Sequence, residues 1–276
     1  MRIRSIIFIL AAAGILFFSA CSEDDKNTID YEGMIKAVCD SVALNTEVPG
    51  IVIQIKAPEE GIDLLYATGT SDIEQDLPML SDMTHRIGSV TKTFVITVML
   101  QLIDEGELSL NTTLDNYYPQ VPQSEIITME MLADMTSGLR NYMETEEFGL
   151  ILESDISHYF SPDSLINIAI RGGADFDPGT GWHYSNTNTI LIGRIIEMIT
   201  GNELKSELET RIFDVLGMTD TEFLDGGTTI PGDHPQGYHA GVIDPSMYNM
   251  TEVYDISMGW AAGSIVSNTE VPPKFK

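Results

Sequence analysis

"RIGSVTKTFVITVMLQLIDEGELSL", residues 86–110, sets the architecture of this chain. From Val90 to Asp104 the apolar positions recur with a helical period, and Gly106, free to take the left-handed conformation that ends a helix, supplies the stop. Ser89 and Lys92 stand at the start of that helix, three residues apart. At this spacing two side chains share a face, and the helix N-terminus favours negative charge developing on a serine oxygen. A serine hydroxyl is a poor nucleophile until a base removes its proton, and a lysine amine does this once burial or nearby positive charge brings its pKa toward neutrality. The pair alone is weak evidence: 20 serines and 7 lysines in 276 residues give about 20 × 7/276, roughly 0.5, Ser-x-x-Lys by chance, and a surface helix start is the alternative.

Upstream, Tyr31, Met34, Ile35, Val38 and Val42 form the apolar stripe of an amphipathic helix that also carries Cys39. Pro49-Gly50 breaks it. "IVIQIKA" and "IDLLYATG", separated by "PEEG", then read as paired strands over residues 51–69, so the domain opens as helix plus hairpin. Downstream, residues 110–225 carry mostly helical patterns. "SPDSLINIAIRG" has Ser161 as N-cap and Pro162 in the first turn, and "TNTILIGRIIEMITG" ends on Gly201. No internal repeat is present.

The N-terminus places Arg2 and Arg4 before an apolar run from Ile6 to Phe18, too short to span a bilayer and suited to a secretory signal. "FSAC", ending at Cys21, resembles the lipobox at which bacterial lipoproteins are cleaved and lipidated. An ordinary signal peptide with a chance cysteine is the alternative. The expected organisation is a signal peptide over 1–20, a linker over 21–30 after a lipidated Cys21, and one domain over 31–276, exported and lipid-anchored to the cell envelope. Cleavage after residue 20 removes two arginines and no acids, leaving 42 acidic against 12 basic residues. Such a chain repels nucleic acid and has no polybasic contact for anionic lipid, so the membrane partner is reached through the anchor. With Cys21 lipidated, Cys39 has no disulfide partner and reads as core.

A second pattern, Tyr184-Ser185-Asn186, is as common by chance as the first, at about 0.4 Tyr-x-Asn. The order of segments decides more. "RIGSVTKTF", "LIDEGELSL", "MTSGL", "FDPGTGWHYSNTNTILIGRIIEMITG", "VLGMTDTEF" and "AAGSIVSNTE" follow one another as in the serine β-lactamase-like family of class C β-lactamases, D-Ala-D-Ala carboxypeptidases and related esterases, which the chain resembles from about residue 31 to 270.

The resemblance implies an α/β (α+β) β-lactamase/transpeptidase-like fold, an antiparallel sheet flanked by helices with a helical subdomain. It also implies a serine hydrolase acting on D-alanyl peptides, β-lactams or small esters, without cofactor or metal. Ser89 is then the acylated nucleophile, Lys92 its proton acceptor, Tyr184 the proton relay to the leaving atom and to water, and Asn186 a hydrogen-bond donor to the substrate amide. The Ser89 N–H supplies half of an oxyanion hole. The family's late His/Lys-x-Gly strand does not follow "AAG" before Lys276, which implies missing C-terminal strands and a hairpin at 51–69 left without a neighbour. "HAG" at His239–Gly241 precedes "AAG" and reads as a decoy.

Where relatives commonly show a histidine, Asp134 and Met135 read as a packing difference. Trp182 and His183 divide evenly between loop packing and lining a cleft. The five histidines (His85, His158, His183, His234, His239) show no H-E-x-x-H spacing, and no serine sits in G-x-S-x-G, so metallohydrolase and α/β-hydrolase readings are poor. The competing reading is an envelope-anchored, non-catalytic peptidoglycan- or ligand-binding protein, or an inactive fragment of the enzyme.

Overall fold

The structure, a computed structural model, describes residues 29–240 and 247–269. The leader and Cys21 lie outside the described residues. Helix α1, Tyr31–Asn45, starts where the Asp30 carboxylate accepts the Gly33 N–H at 2.8 Å. Its Asp40 accepts from Tyr66 Oη and Thr68 Oγ1, both at 2.7 Å, tying it to the sheet beneath. Cys39 is buried there as a free thiol.

Strands β1, Gly50–Ala57, and β2, Ile62–Asp72, form the hairpin, in register from Gly50↔Gly69 to Ala57↔Ile62. Gly61 closes the connection at φ 72. The hairpin is not isolated as expected, because β2 runs on and pairs with β3, Leu77–Pro78, and α1 packs on β2.

The helical body comprises α2 (Thr91–Asp104), α3 (Met129–Ala133), α4 (Glu146–Ser154), α5 (Pro162–Gly172), α6 (Asn186–Thr200), α7 (Leu204–Leu208) and, after a π-helical turn over Glu209–Phe213, α8 (Asp214–Leu216). The stop and cap signals act as read: Ser161 Oγ accepts the Ser164 N–H, Gly106 has φ 82, and Gly201 ends α6 at φ 73. Helix α6 is the axis of the core. Every residue from Asn186 to Gly193 is buried, and α2, α3 and α5 pack around it through Val95, Val98, Met99, Leu132, Leu165 and Ile168. Each such aliphatic side chain contributes about 1.5–3 kcal/mol on burial.

Short strands link distant parts of the chain: β4 (His85–Arg86), β5 (Glu222–Phe223), a ribbon of β6 (Tyr238–Ala240) with β7 (Met247–Asn249), and β8 (Ile265–Ser267). Strand β8 lies between β4 and β5, both antiparallel, with His85↔Ser267 and Phe223↔Ile265 in register. This sheet clamps residues 256–267 against the start of α2. That clamp positions the site.

Candidate active site

Ser89 sits in a single 3-10 turn, Gly88–Val90, leading into α2, and Gly88 takes φ 52 to make the turn. The Ser89 side chain is exposed, whereas Lys92, one turn on, is only 5% exposed. Lys92 Nζ donates to Ser89 Oγ at 3.1 Å and to the Ala262 carbonyl at 2.7 Å, and it lies 4.8 Å from the Tyr184 ring centroid. Burial pushes the Lys92 ammonium below the usual lysine range; hydrogen bonding and charge from the Tyr184 phenol pull it part of the way back. A lysine in these surroundings reaches the neutral, proton-accepting form more readily than a solvated one.

The Ala262 carbonyl comes from 170 residues away, and several contacts bring it there. The Ile265 N–H donates to Thr91 Oγ1 at 3.1 Å, and the Ile87 N–H to the Ile265 carbonyl at 3.1 Å. The turn Trp260–Ala262 presses on α6 at Gly193, where a Cβ would stand 2.8 Å from both Ala261 Cβ and Trp260 Cζ3. Only glycine permits that approach. Trp260 itself holds φ 31, a left-handed value that a bulky residue adopts only under constraint from its surroundings. From the other side, the buried Tyr142 donates its Oη to the Met258 carbonyl at 2.7 Å.

Tyr184 precedes α6, and its first turn is pinned to residues 135–144 rather than capped by Ser185. Thr187 Oγ1 donates to the Arg140 carbonyl and Ser137 Oγ to Asn188 Oδ1, both at 2.7 Å. Asn186 Nδ2 donates to Asn141 Oδ1 and to Met143 Sδ, each at 3.2 Å. The structure therefore brings Ser89, Lys92 and Tyr184 into one group and sets Asn186 on the wall of a cleft of about 240 Å³. Gly88, Ser89, Met143, Met258 and Gly263 line the same cleft.

Other candidates fall elsewhere. His239 pairs with Tyr248 across the β6–β7 ribbon and is not part of the cleft lining, in keeping with its reading as a decoy. Trp182 is 65% exposed and lines no part of the cleft; His183 Nε2 instead lies 3.0 Å from Glu144 Oε2. Met135 is buried at φ 69, its sulfur accepting from Asn188 Nδ2 at 3.2 Å, which is the packing role assigned to that position. The sequence reading missed the Ala262 carbonyl, Asn141 and Glu144. Asn141-x-x-Glu144 has the form of a capping box, and that signal was available. A larger cavity, about 330 Å³ between Gly50, Met79, Thr84 and Ile230, shares only Arg86 with the cleft.

Residues 46–270 match the family described as Beta-lactamase. The chain belongs to the beta-lactamase family. Among curated members it is similar to an esterase, EstB, of Burkholderia gladioli (29% identity over 66% of this chain and 49% of that one). It is likewise similar to a D-aminopeptidase of Brucella anthropi (29% over 74% of this chain and 39% of that one). Among solved beta-lactamase-type structures, the D-amino acid amidase of Ochrobactrum anthropi complexed with L-phenylalanine amide superposes with a TM-score of 0.77 at 28% identity, covering 86% of this chain and 66% of that one. The α/β fold, with antiparallel sheets and a helical body, is that of the beta-lactamase/transpeptidase type. The chain spans about half or less of the length of these curated relatives.

Proposed function

We propose that this chain is a serine hydrolase that acylates on Ser89, acting on D-aminoacyl amides and peptides, β-lactams or small esters. The observation that carries the reading is the desolvated Lys92 amine 3.1 Å from Ser89 Oγ. Neutral Lys92 accepts the Ser89 proton as Oγ bonds to the substrate carbonyl carbon. The oxyanion forms against the Ser89 N–H at the N-terminus of α2, a position where a preorganised donor is worth about 10²- to 10³-fold in rate. The proton passes by way of the Tyr184 phenol to the leaving nitrogen or oxygen, which departs and leaves the acyl ester on Ser89. A water then gives its proton to the Tyr184–Lys92 pair and attacks the ester, releasing the acid and restoring Ser89 Oγ–H. The Ala262 carbonyl holds the lysine in line throughout, whichever proton it carries.

The relatives described as esterase, D-aminopeptidase and penicillin-binding protein support this range of acyl donors. Assay of a chromogenic β-lactam, a p-nitrophenyl ester and a D-alanyl p-nitroanilide with wild type and Ser89→Ala tests it. Turnover of at least one, lost in the variant, is expected; equal rates in both proteins would overturn the reading. The N-terminal sequence supports a lipid anchor on Cys21, so palmitate incorporation in the native host is expected and should vanish in Cys21→Ser. Persistence of the label in that variant would refute the anchor.

A further inference from the structure

The turn that carries the Ala262 carbonyl is shaped from within and held in place from outside. Within it, the Ala262 N–H donates to the Gly259 carbonyl at 2.7 Å, and the Gly263 and Ser264 N–H groups donate to the Trp260 carbonyl at 3.0 Å. These bonds close the turn around Trp260, at φ 31, but do not fix where it stands. A bulky residue persists in that conformation only where its surroundings over-determine it. Two buried hydroxyls bracket it on the side of the site. Before it, Tyr142, at 0% exposure, donates from Oη to the Met258 carbonyl at 2.7 Å; after it, Thr91, also at 0%, accepts the Ile265 N–H on Oγ1 at 3.1 Å. Elsewhere, the Leu224 N–H reaches the Ser264 carbonyl at 3.1 Å and Trp260 Nε1 reaches Asp225 Oδ1 at 3.4 Å, which ties the turn to residues that line no part of the cleft. The Ile87 N–H to the Ile265 carbonyl continues the β4–β8 pairing and acts beyond the turn. Thr91 and Lys92 are neighbours on α2 and both reach this segment, one accepting from residue 265 and the other donating to the carbonyl of residue 262 at 2.7 Å.

We propose that Tyr142 and Thr91 are positioning residues whose hydroxyls hold the strained turn at Trp260 against α2, so that the Ala262 carbonyl keeps Lys92 Nζ on Ser89 Oγ. Neither residue lines the cleft, so each acts through the turn, and the inference rests on Ser89 acylation as proposed above. Removing the Thr91 oxygen leaves the N–H of the fully buried Ile265 without that acceptor, and removing the Tyr142 oxygen frees the Met258 peptide to rotate. In either case Trp260 can relax out of the left-handed region, which withdraws the Ala262 carbonyl and lets water reach the amine.

The test follows fluorophosphonate labelling of Ser89 against pH in wild type, Tyr142→Phe, Thr91→Val and Thr91→Ser, each well below its Tm. Tyr142→Phe and Thr91→Val should each label about 10- to 100-fold more slowly than wild type, the scale of an ångström-sized misplacement. In both, the ionisation that controls the rate should move up toward the ordinary lysine value, because burial is what holds the Lys92 ammonium below it and that burial is lost as the turn opens. Thr91→Ser keeps the acceptor oxygen and should label within about 3-fold of wild type, with the wild-type profile. Labelling at the wild-type rate in Tyr142→Phe or Thr91→Val overturns the inference while leaving acylation intact. So does slower labelling with an unmoved pH profile, which is what a merely structural role would give, and so does a Thr91→Ser protein as slow as Thr91→Val. Absence of Ser89 labelling in wild type overturns the acylation reading and this inference together.

Discussion

Around α6 the side chains of the helical body reach 0–2% exposure, whereas along β1 no residue is fully buried and in β2 only Leu64, Ser71 and Asp72 are. The two regions also differ in what they give the site. Every residue that lines the cleft comes from β4, the entry to α2, the start of α6, the 140s segment or residues 254–263; none comes from β1, β2 or β3. A proton transfer over 3.1 Å needs its groups fixed to a fraction of an ångström, and packing of the kind around α6 supplies that rigidity. The hairpin contributes a half-covered layer under α1. The contrast teaches that chemistry and stability are joined in one half of the molecule and separate in the other.

The largest effect expected from a single change is on rate alone. Ser89→Ala should lower kcat/KM by about 10⁴-fold or more, and because the Ser89 side chain is exposed, calorimetry should find its Tm unchanged. A clear fall in Tm would place Ser89 in the packed framework. Next, Leu165→Ala in α5, at 0% exposure, should cost about 2–5 kcal/mol in urea unfolding, and Ile53→Ala in half-buried β1 about 1 kcal/mol or less. Equal costs for the two would erase the contrast.

Gly193→Ala sharpens it, because the added methyl meets the turn that carries the Ala262 carbonyl. A loss of about 1–3 kcal/mol is expected together with reduced turnover. Lost stability at full activity would show that the carbonyl does not depend on that approach.

A gain in stability is the most informative in sign. Lys92→Met should abolish activity yet raise stability by about 1 kcal/mol, near 2–4 °C in Tm, because it removes a charge from a desolvated site. The same burial sets a pH dependence. Since the folded-state pKa of Lys92 lies below its unfolded value, the unfolded chain holds a proton there that the folded chain has lost. Wild-type stability should therefore rise with pH from the depressed pKa up to the ordinary lysine value, and the difference between Lys92→Met and wild type should shrink over the same window. A difference that is constant with pH would show that the ammonium carries no penalty.

Local signals were easily read from the sequence. Ser161-Pro162 opens α5, Gly201 ends α6, and the three-residue step from Ser89 to Lys92 brings the two side chains into contact, since each depends on a few neighbouring residues. What escaped depends on pairings across the chain. Strands of two or three residues, such as β4 with β8, carry no periodicity to detect, and no property of Ala262 marks its carbonyl as the partner of an amine 170 residues away. Asn186 stood out as a position, but the hydrogen bonds that run from it to Asn141 and on to Glu144 were not legible, because they join segments some 45 residues apart. The edge of the hairpin was misjudged for the same reason: β3 adds only two residues to β2, with a register shift between Thr70 and Asp72.

The central claim is that a desolvated amine takes the proton of Ser89, and the pH dependence of the rate at which a fluorophosphonate labels the enzyme measures this directly. The account predicts labelling confined to Ser89, with a rate that rises through a single ionisation below the ordinary lysine pKa of about 10.4 and a rise that is absent in Lys92→Met. A labelling rate that climbs only at that ordinary value, or that follows the same profile once Lys92 is replaced, would contradict it.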